Sequence, residues 1–307
     1  MEMIQGTTDF QLYTESAVAI GKFDGVHIGH RRLLEEIIEQ KKNGMQACVF
    51  TFDPAPAVLF GLSDGKELTE KPVKREIFAL MGVDVLIEFP LTLETAAMAP
   101  EVFVSEILAD RMQAGFIAAG ADISFGAGGA GDMELLREMS GNLGFQVKLV
   151  EKVCADGVEV SSSYIRRQVE QGNMELVERL LGAPYLVAGT VVHGNRVGRT
   201  LGFPTVNLLP AENKLLPPNG VYYSKVYYRG RYYPSISNVG CKPTVTKEGT
   251  VGVESYLYDF DSDIYGQEIK VELLSFLRPE QRFADVEALK KQLQEDIAAG
   301  EQYHRKQ

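Results

Sequence analysis

The chain has 307 residues, a hydrophobic fraction of 45% and a formal net charge of −11, from 31 Lys and Arg against 42 Asp and Glu. This length predicts two domains, and the composition excludes a disordered chain, a collagen-like repeat and a disulfide scaffold. The acidity argues against broad contact with nucleic acid or an anionic membrane, although small anions can still bind.

The cysteines and the N-terminal segment indicate where the protein works. Cys48, Cys154 and Cys241 are far apart and form no C-x-x-C motif, so we expect neither disulfides nor a zinc site. The N-terminus lacks a secretion signal, and no stretch reaches the ~18 apolar residues of a spanning helix. We therefore expect a protein of the reducing cytoplasm that has no membrane partner.

The first half of the chain alternates short apolar runs with helical patterns, which predicts an α/β fold with a doubly wound, Rossmann-like parallel sheet. Strands are predicted at residues 17–20, 47–52, 83–88, 116–119 and 145–150. Helices are predicted after residue 30 and at residues 101–112 and 133–142. In such sheets, ligands bind at the carboxyl ends of the strands.

The second half has closely spaced strands separated by turns, which predicts a small antiparallel barrel. The strands are expected at residues 185–192, 220–228, 231–239, 251–260 and 268–276. A last helix, at residues 284–299, is expected to end at Gly300 and to bury Val286, Leu289, Leu293 and Ile297. We place the domain division between residues 1–183 and 184–307.

The segment GKFDGVHIGH at residues 21–30 follows the first predicted strand and begins a helix. His27 and His30 share one face of the first turn, where free N–H groups and the helix dipole favour a phosphate. Gly21 and Gly29 let the backbone approach a ligand, and imidazole N–H groups can stabilise charge growing on an attacked phosphorus. The alternative is a strand-to-helix turn with two exposed histidines.

The segment GRTLGFPTVN at residues 198–207 is not a Walker loop, since it lacks the G-K-[ST] ending. Gly198 and Gly202 can turn backbone N–H groups toward phosphate oxygens. If Thr205 and Asn207 lie on a strand, their oxygens share one face and offer two hard ligands to a Mg²⁺ ion that also touches ATP. A glycine-rich turn entering a strand explains the segment equally well.

The first motif resembles the H-x-G-H nucleotidyltransferase superfamily, which activates the α-phosphate of ATP and releases pyrophosphate. The string SSSYIR at residues 161–166 is similar to the Ser-Ser-Thr-x-Ile-Arg element of its small members. The resemblance implies that Ser162, Ser163 and Arg166 hold the departing β- and γ-phosphates. Taken alone, the string can also be a serine helix cap followed by a surface arginine.

Residues 198–207 resemble the riboflavin kinase signature, and flanking motifs match it at residues 218–222, 243–244, 253–255 and 277–280. Together with the N-terminal motifs, nearly the whole chain is similar to the prokaryotic bifunctional riboflavin kinase/FMN adenylyltransferase (FAD synthetase) family. The resemblance implies an ATP-dependent transferase that converts riboflavin to FMN and then FMN to FAD, with Mg²⁺ as cofactor. Its partners would be riboflavin, FMN and ATP, with the oligomeric state left open.

The same resemblance implies roles for individual residues. In the second half, Glu254 would deprotonate the 5′-hydroxyl of riboflavin and Arg278 would contact the flavin. In the first half, His27 and His30 would stabilise the transition state and Asp122 would lie near the flavin or the phosphates. The remaining ligands would be Gly21, Phe23, Asp24 and Gly29 for the nucleotide, Gly198 and Gly202 for phosphate, and Thr205 and Asn207 for Mg²⁺.

The first half departs from the family pattern at two places. The family usually has a histidine in F-x-P-H-P where this chain has Ala55, and its commonly basic loop is uncharged here at residues 126–131. Two alternatives therefore stay open: a riboflavin kinase with a weak or inactive adenylyltransferase half, and a non-catalytic flavin-binding regulatory protein. An RNA-binding protein is disfavoured by the net charge.

Overall fold

The structure is a computed structural model that describes residues 1–194, 197–241 and 251–306. The chain forms two compact units, Met1–Ser161 and Ser162–Gln307. The 243–244 motif lies outside the described residues. Among the helices of the described ranges, none has both the length and the apolar character needed to cross a membrane.

The first unit is a parallel sheet with helices. Its strands are β1 (Glu2–Gln5), β2 (Ser16–Ile20), β3 (Gln46–Asp53), β4 (Val85–Pro90), β5 (Ala114–Gly120) and β6 (Gln146–Val150), followed by a short pair, β7 (Cys154–Ala155) and β8 (Val158–Glu159). Its α-helices are α1 (Ile28–Glu39), α2 (Pro56–Leu59), α3 (Lys71–Met81), α4 (Leu93–Ala96), α5 (Pro100–Val102) and α6 (Met133–Leu143), with a π-helix at Phe103–Arg111.

The sheet order is β1-β4-β3-β2-β5-β6, and every pairing in it is parallel. Successive side chains of a strand point to opposite faces. Val18 and Ile20 of β2 accordingly belong to one buried apolar cluster, whereas Ala17 and Ala19 belong to another. Both faces of the sheet are therefore covered, which confirms the predicted doubly wound, Rossmann-like fold.

Three neighbouring strands end at the same edge of this sheet. β2 lies between β3 and β5, and the strands finish at Ile20, Asp53 and Gly120. The 21–30 motif, Ala55 and Asp122 each follow one of these ends. The parallel sheet thus gathers the predicted site segments at its carboxyl edge.

The second unit is a closed antiparallel barrel with the strand order β10-β13-β12-β11-β14-β9, and β9 pairs with β10 to close it. Its strands are β9 (Tyr185–Val192), β10 (Val206–Pro210), β11 (Gly220–Tyr228), β12 (Arg231–Cys241), β13 (Val251–Leu257) and β14 (Glu268–Pro279). Its helices are α7 (Ser162–Glu170), α8 (Met174–Leu181), α9 (Val197–Thr200) and α10 (Val286–Arg305). The predicted barrel with a C-terminal helix is confirmed.

Helices α7 and α8 belong to the compact unit that contains the barrel. α8 packs against β9 and β14, which places the contact boundary after Ser161. The division of activities at residue 183 stays a prediction, since compactness and function need not divide a chain at the same residue.

The C-terminal helix differs from its predicted form. It continues through Gly300 to Arg305, and Val286 is exposed. A Cβ atom on Gly300 would lie 2.3 Å from the Tyr258 hydroxyl and 2.4 Å from Ile236 Cδ1. Gly300 therefore lets the helix lie close to the barrel and does not end the helix, so the predicted stop at this residue was wrong.

The predicted helix at residues 101–112 is also interrupted. Three residues of α-helix are followed by the π-helix Phe103–Arg111. The Ser105 hydroxyl donates to the carbonyl oxygen of Glu101 at 2.9 Å, an interaction that competes with regular backbone bonding and distorts helices. The periodicity of the sequence does not predict that a serine hydroxyl will compete with a backbone N–H group for a carbonyl oxygen.

The close approach at Gly300 gives a stability prediction. We expect Gly300→Ala to lower the free energy of unfolding by about 1–3 kcal/mol, because overpacking outweighs the gain of ~1 kcal/mol in helix propensity. Gly141→Ala in α6 is the matched control, since nothing beyond its chain neighbours and its own helix backbone lies within 4 Å of its Cβ position, and it should be neutral or stabilising. Urea unfolding followed by circular dichroism measures both. Equal stability of the two variants would contradict the close contact.

Candidate active sites

A strained loop connects β2 to α1 in the first unit. Phe23 and Val26 have φ angles of 50° and 42°, in the left-handed region that a β-branched residue such as Val26 rarely adopts. Both side chains are fully buried, and Asp24 Oδ1 accepts a hydrogen bond from the Leu68 N–H at 2.9 Å. Burial and this bond hold the loop in its strained form, as is common at functional sites.

His27 and His30 stack at the end of this loop. His27 is the N-cap residue of α1, and its Nδ1 accepts a hydrogen bond from the His30 backbone N–H at 3.3 Å. The ring centroids lie 3.6 Å apart with an interplanar angle of 17°. A Cβ on Gly29 would lie 3.2 Å from the His27 ring, so a glycine suits this position. The two histidines share one face of the first turn, as the sequence predicts.

Burial keeps both imidazoles neutral. Desolvation lowers the pKa of His27 from 6.5 to about 4, against the opposing charges of Asp24 and Asp122. Desolvation also lowers the pKa of His30 well below its usual value, and the charges of His27 and Lys74 act in the same direction. At neutral pH the pair therefore presents hydrogen-bond donors without a positive charge.

The hydrogen bonds of the pair define which nitrogen can donate. Because His27 Nδ1 accepts a bond, the proton of the neutral ring lies on Nε2. His30 Nδ1 is buried and makes no hydrogen bond in the described part of the chain. Nε2 is therefore the nitrogen through which His27 can donate a hydrogen bond.

The buried Phe23 ring packs against the histidine pair. Its ring centroid lies 5.2 Å from that of His30 and 5.4 Å from that of Phe78 in α3. A Cβ on Gly21 would lie 3.1 Å from the Phe23 ring. The predicted nucleotide contact of Phe23 would have to come from its backbone, because its side chain is fully buried.

Asp122 lies at the rim of this site. Its side chain is 73% exposed, and Oδ2 lies 3.3 Å from Lys152 Nζ, which also pairs with Glu159. Its charge acts on His27, so the carboxylate is within electrostatic range of the pair. This position agrees with the expected place near a ligand, and its role there stays a prediction.

The two departures from the family pattern have clear local structures. Ala55 is the N-cap residue of α2 and makes no side-chain hydrogen bond, while Asp53 pairs with Lys71 at 2.5 Å. Residues 126–131 contain a short turn at Ala127–Gly129, and a Cβ on Gly126 would lie 2.6 Å from Pro100 Cα. Neither segment supplies a charged side chain at the positions where the family pattern has one.

In the second unit, Glu254 and Thr205 are hydrogen bonded. Thr205 Oγ1 donates to Glu254 Oε1 at 2.5 Å. Asn207 of β10 lies directly opposite Glu254 of β13, so their side chains share one face of the sheet. Ser255, the next residue on β13, points to the opposite face, where it is fully buried and bonded to Ser237 at 2.7 Å. The barrel thus directs Glu254 away from its interior.

A cleft of about 180 Å³ lies beside these residues. Thr205 and Asn207 both line it, together with Tyr265 and two carboxylate residues, Asp261 and Asp263. The missing side chain of Gly194 leaves room for Asn207, whose amide nitrogen would lie 2.5 Å from a Cβ there. The predicted metal ligands therefore meet at one cleft.

The donor set suits Mg²⁺. A hydroxyl, an amide oxygen and a carboxylate are the hard oxygen ligands that this ion takes, usually together with water and substrate phosphates. Within the described ranges no group of three or more His, Cys, Asp or Glu forms a metal site, so a resident all-protein cage is not seen there. Thr205 and Asn207 fit an ion that arrives with a nucleotide.

The remaining predicted residues of the second unit have structural contacts. Gly198 lies in α9 and its carbonyl accepts bonds from the Leu201 and Phe203 N–H groups, while Gly202 has a φ of 91°. Arg278 forms a bidentate ion pair with Asp296 of α10, at 2.8 and 2.6 Å. This pair fastens α10 to β14 and accounts for Arg278 without a flavin, whose contact with it stays a prediction.

Ser162, Ser163 and Arg166 lie in the first two turns of α7. Both interpretations of this segment, a serine helix cap and a phosphate site, require a helix that begins here, so the helix start does not distinguish them. Their assignment to the departing phosphates stays a prediction.

Sequence analysis missed Lys74, which lies on α3 and is 8% exposed. Val73, Ile77 and Phe78 follow a helical spacing after Pro72, a signal that could have identified α3. The charge of Lys74 helps to lower the pKa of His30, an effect between segments distant in the chain that periodicity cannot predict.

Comparisons with known proteins cover both units. The family model described as FAD synthetase matches residues 10–164, and the model described as riboflavin kinase matches residues 181–304. The bifunctional riboflavin kinase/FMN adenylyltransferase of Listeria monocytogenes is 36% identical over 94% of this chain and 93% of its own length. The Escherichia coli K12 protein of the same name is 36% identical, covering 96% of each chain. The chain belongs to this bifunctional family.

One solved structure similar to the chain carries an unrelated name. The crystal structure of a macrolide-efflux protein from Streptococcus pneumoniae matches with a TM-score of 0.88 and 29% identity, over 97% of this chain and 98% of that one. The family fold is thus shared along nearly the whole chain, and the efflux activity in that name belongs to the other protein.

The lowered pKa values of the histidine pair give a pH prediction. With four histidines in the chain, imidazole ¹⁵N NMR can follow each ring, and His27→Asn assigns one signal. We expect His27 and His30 to stay neutral from about pH 8 to about pH 5.5, because burial disfavours their charged forms. Titration of either ring near 6.5 would contradict the buried geometry.

The same shift affects stability. Between 6.5 and about 4 the unfolded chain binds a proton on His27 that the folded chain excludes, so acidification through this window destabilises the first unit. His27→Asn should flatten this part of the pH profile of unfolding.

Proposed function

We propose that this chain performs two ATP-dependent transfers: phosphorylation of riboflavin to FMN in the second unit, and transfer of AMP from a second ATP to FMN in the first. The second step gives FAD and pyrophosphate. The stacked, neutral His27–His30 pair at the start of α1 carries this proposal. Family membership supports it, since the named relatives are bifunctional and match along both units.

In the first unit, a phosphate oxygen of FMN attacks the α-phosphorus of ATP. A new P–O bond forms, the bond to the β-phosphate breaks, and pyrophosphate leaves with its electron pair. The Nε2–H group of His27 and a ring N–H group of His30 donate to the α-phosphate oxygens as negative charge grows on them. Backbone N–H groups at the start of α1 add to the same field.

Several other residues of this step are assigned by the resemblance. Asp24 holds the loop through its bond to Leu68, and Gly21 and Gly29 leave room for the Phe23 and His27 rings. By the resemblance alone, and although the contact boundary puts them in the second unit, Ser162, Ser163 and Arg166 are assigned to the leaving phosphates, and Asp122 is assigned a place near the flavin or the phosphates.

In the second unit, Glu254 orients the 5′-hydroxyl of riboflavin and accepts its proton as the γ-phosphoryl group of ATP is transferred. The Thr205 hydroxyl fixes one carboxylate oxygen, Oε1, which leaves Oε2 to take that proton. Positioning of this kind is most of what phosphoryl transfer requires from a protein. Thr205 and Asn207 would hold Mg²⁺, which when bound neutralises charge on the phosphates.

A second candidate is a riboflavin kinase whose first unit is weak or inactive in adenylyl transfer. Ala55 and the uncharged 126–131 loop favour it, because loss of one hydrogen-bonding group at a phosphoryl site can reduce the rate roughly a hundredfold. A non-catalytic flavin carrier is less well supported, since a pure binder has no need for the Thr205–Glu254 arrangement.

Chromatography of flavins distinguishes the three candidates. Purified protein is incubated with riboflavin and Mg-ATP, and the products are separated over time. Formation of FMN followed by FAD is the expected result. FMN without FAD would leave only the kinase, and saturable flavin binding with no ATP consumption would leave only the carrier.

Two variants should separate the activities. His27→Ala should abolish FAD formation from FMN and leave FMN formation largely intact, since its side chain belongs to the first unit. Glu254→Gln should reduce FMN formation at least about a hundredfold, because general-base catalysis is lost, and should spare FAD formation from added FMN. Equal loss of both activities in either variant would show that the two sites are wrongly assigned.

The cytoplasm is the compartment that we propose for these reactions. The spacing of the three cysteines supports a reducing compartment, and Cys48 is a buried free thiol. Riboflavin, FMN and ATP are the proposed partners, and nothing in this proposal depends on an oligomer, a nucleic acid or a membrane.

A further inference from the structure

Glu280 joins three segments of the second unit that are far apart in the sequence. Its Oε1 accepts a hydrogen bond from Asn238 Nδ2 of β12 at 3.2 Å, and its Oε2 accepts one from Asn219 Nδ2, just before β11, at 3.2 Å. A Cβ atom on Gly240 would overlap Glu280 Oε1, so the glycine lets the carboxylate lie against β12. The mechanism proposed for this unit uses none of these four residues.

Asn238 lies directly opposite the candidate base. In the register of β12 and β13 it pairs with Glu254, and Glu254 pairs with Asn207 of β10 on its other side. Paired residues of neighbouring strands share one face of the sheet, with their Cβ atoms about 4.5–5.5 Å apart. Glu254 therefore has an asparagine on each side. Asn207 lines the cleft described beside Thr205, and Asn238 lies on the side away from it.

The bond to Glu280 fixes the orientation of the Asn238 amide. A carboxylate only accepts hydrogen bonds, so the amide nitrogen faces Glu280 and one of its two hydrogens is used there. For the amide oxygen and the second N–H hydrogen, no hydrogen bond to another group is found within residues 1–194, 197–241 and 251–306. One acceptor and one donor thus remain for a ligand bound beside Glu254.

The geometry of the reaction places the acceptor substrate on the Asn238 side. Attacking and leaving oxygens lie roughly in line across a transferred phosphoryl group. The nucleotide and its metal ion would occupy the cleft that Thr205 and Asn207 line, so the attacking hydroxyl group approaches Glu254 from the opposite side. A substrate chain that carries a second hydroxyl group on the neighbouring carbon then brings that group toward Asn238.

We propose that Asn238 binds the 4′-hydroxyl group of riboflavin, next to the 5′-hydroxyl group that Glu254 deprotonates, and that Glu280 is the positioning residue that orients the Asn238 amide. This inference rests on the proposed function of the second unit. Asn238 takes no part in bond making. The 5′ oxygen bonds to the γ-phosphorus, the bond to the β-phosphate oxygen breaks, ADP leaves with the electron pair, and the hydroxyl proton passes to Glu254.

A substrate analogue tests this contact in the wild-type protein. 4′-Deoxyriboflavin keeps the 5′-hydroxyl group and lacks only the group that Asn238 would bind. We expect kcat/KM for its phosphorylation to be about tenfold below that of riboflavin, because one hydrogen bond to the substrate is lost. Phosphorylation of the analogue within about twofold of riboflavin would overturn the inference.

Asn238→Ala tests whether this residue is the origin of the discrimination. In the variant, kcat/KM for riboflavin should fall about tenfold while the analogue is little affected, so the ratio between the two substrates should approach one. An asparagine with a merely structural role would lower both values equally and preserve the ratio, and that result would overturn the inference. FAD formation from added FMN should be unchanged.

Variants of Glu280 test its positioning role through the same ratio. Glu280→Ala should reduce the ratio at least about threefold, because the Asn238 amide is no longer held, and Glu280→Gln should retain most of it, because its amide oxygen still accepts a bond. Glu301→Ala is the matched control, since Glu301 is an exposed glutamate that pairs with Arg305 of α10 at 2.6 Å. It should change neither rate. An unchanged ratio in Glu280→Ala would overturn the positioning role.

Failure of the reaction and failure of the inference give different results. If the wild-type protein binds riboflavin but forms no FMN, the proposed function of the second unit fails. Quenching of flavin fluorescence then measures binding directly. Riboflavin should bind about tenfold more tightly than 4′-deoxyriboflavin to the wild-type protein, and the two flavins should bind equally to Asn238→Ala. Equal binding of both flavins by the wild-type protein would overturn the inference, and absence of riboflavin binding would overturn both.

Discussion

The stacking of His27 on His30 is the interaction on which the first unit depends. Two imidazoles 3.6 Å apart can remain stacked only if they do not both carry charge, and burial supplies this condition. Burial in turn requires the β2–α1 loop to keep its strained form, which Phe23 and Val26 secure from the core. The apolar packing of Phe23 and Val26 thus holds the loop in the form that keeps the His27 and His30 rings neutral.

In the second unit, paired strands rather than a loop hold the candidate site residues in position. Asn207 and Glu254 occupy opposed positions of two paired strands, so their separation is fixed by the ladder. On the opposite face, the fully buried hydroxyls of Ser224, Ser235, Ser237 and Ser255 bond to one another and satisfy each other inside the barrel. The strand ladder fixes the position of the Glu254 carboxylate, so no strained loop is needed to hold it. Phosphoryl transfer requires mainly that such groups be positioned correctly.

Local sequence signals predicted most of the architecture. The strands Tyr185–Val192 and Gly220–Tyr228 have their predicted bounds, and the histidines lie at the start of a helix after a buried strand. The failures involve contacts between distant segments. Gly300 has the same sequence signature whether it ends a helix or lets one approach Tyr258, and Phe78 of α3 meets His30 through the Phe23 ring, which the sequence does not indicate. Sequence periodicity predicts which face of a helix or strand is buried. It does not predict which distant segment packs against that face, because that depends on tertiary structure.

The net charge of −11 affects how the protein can bind phosphate. An acidic protein repels phosphate at long range, but screening confines that repulsion to about 8–10 Å in physiological salt. Lys71 and Arg75 of α3 are paired with Asp53 and Glu88, so their positive charges are already compensated. With Ala55 and the 126–131 loop supplying none, the balance at the phosphate rests on few groups.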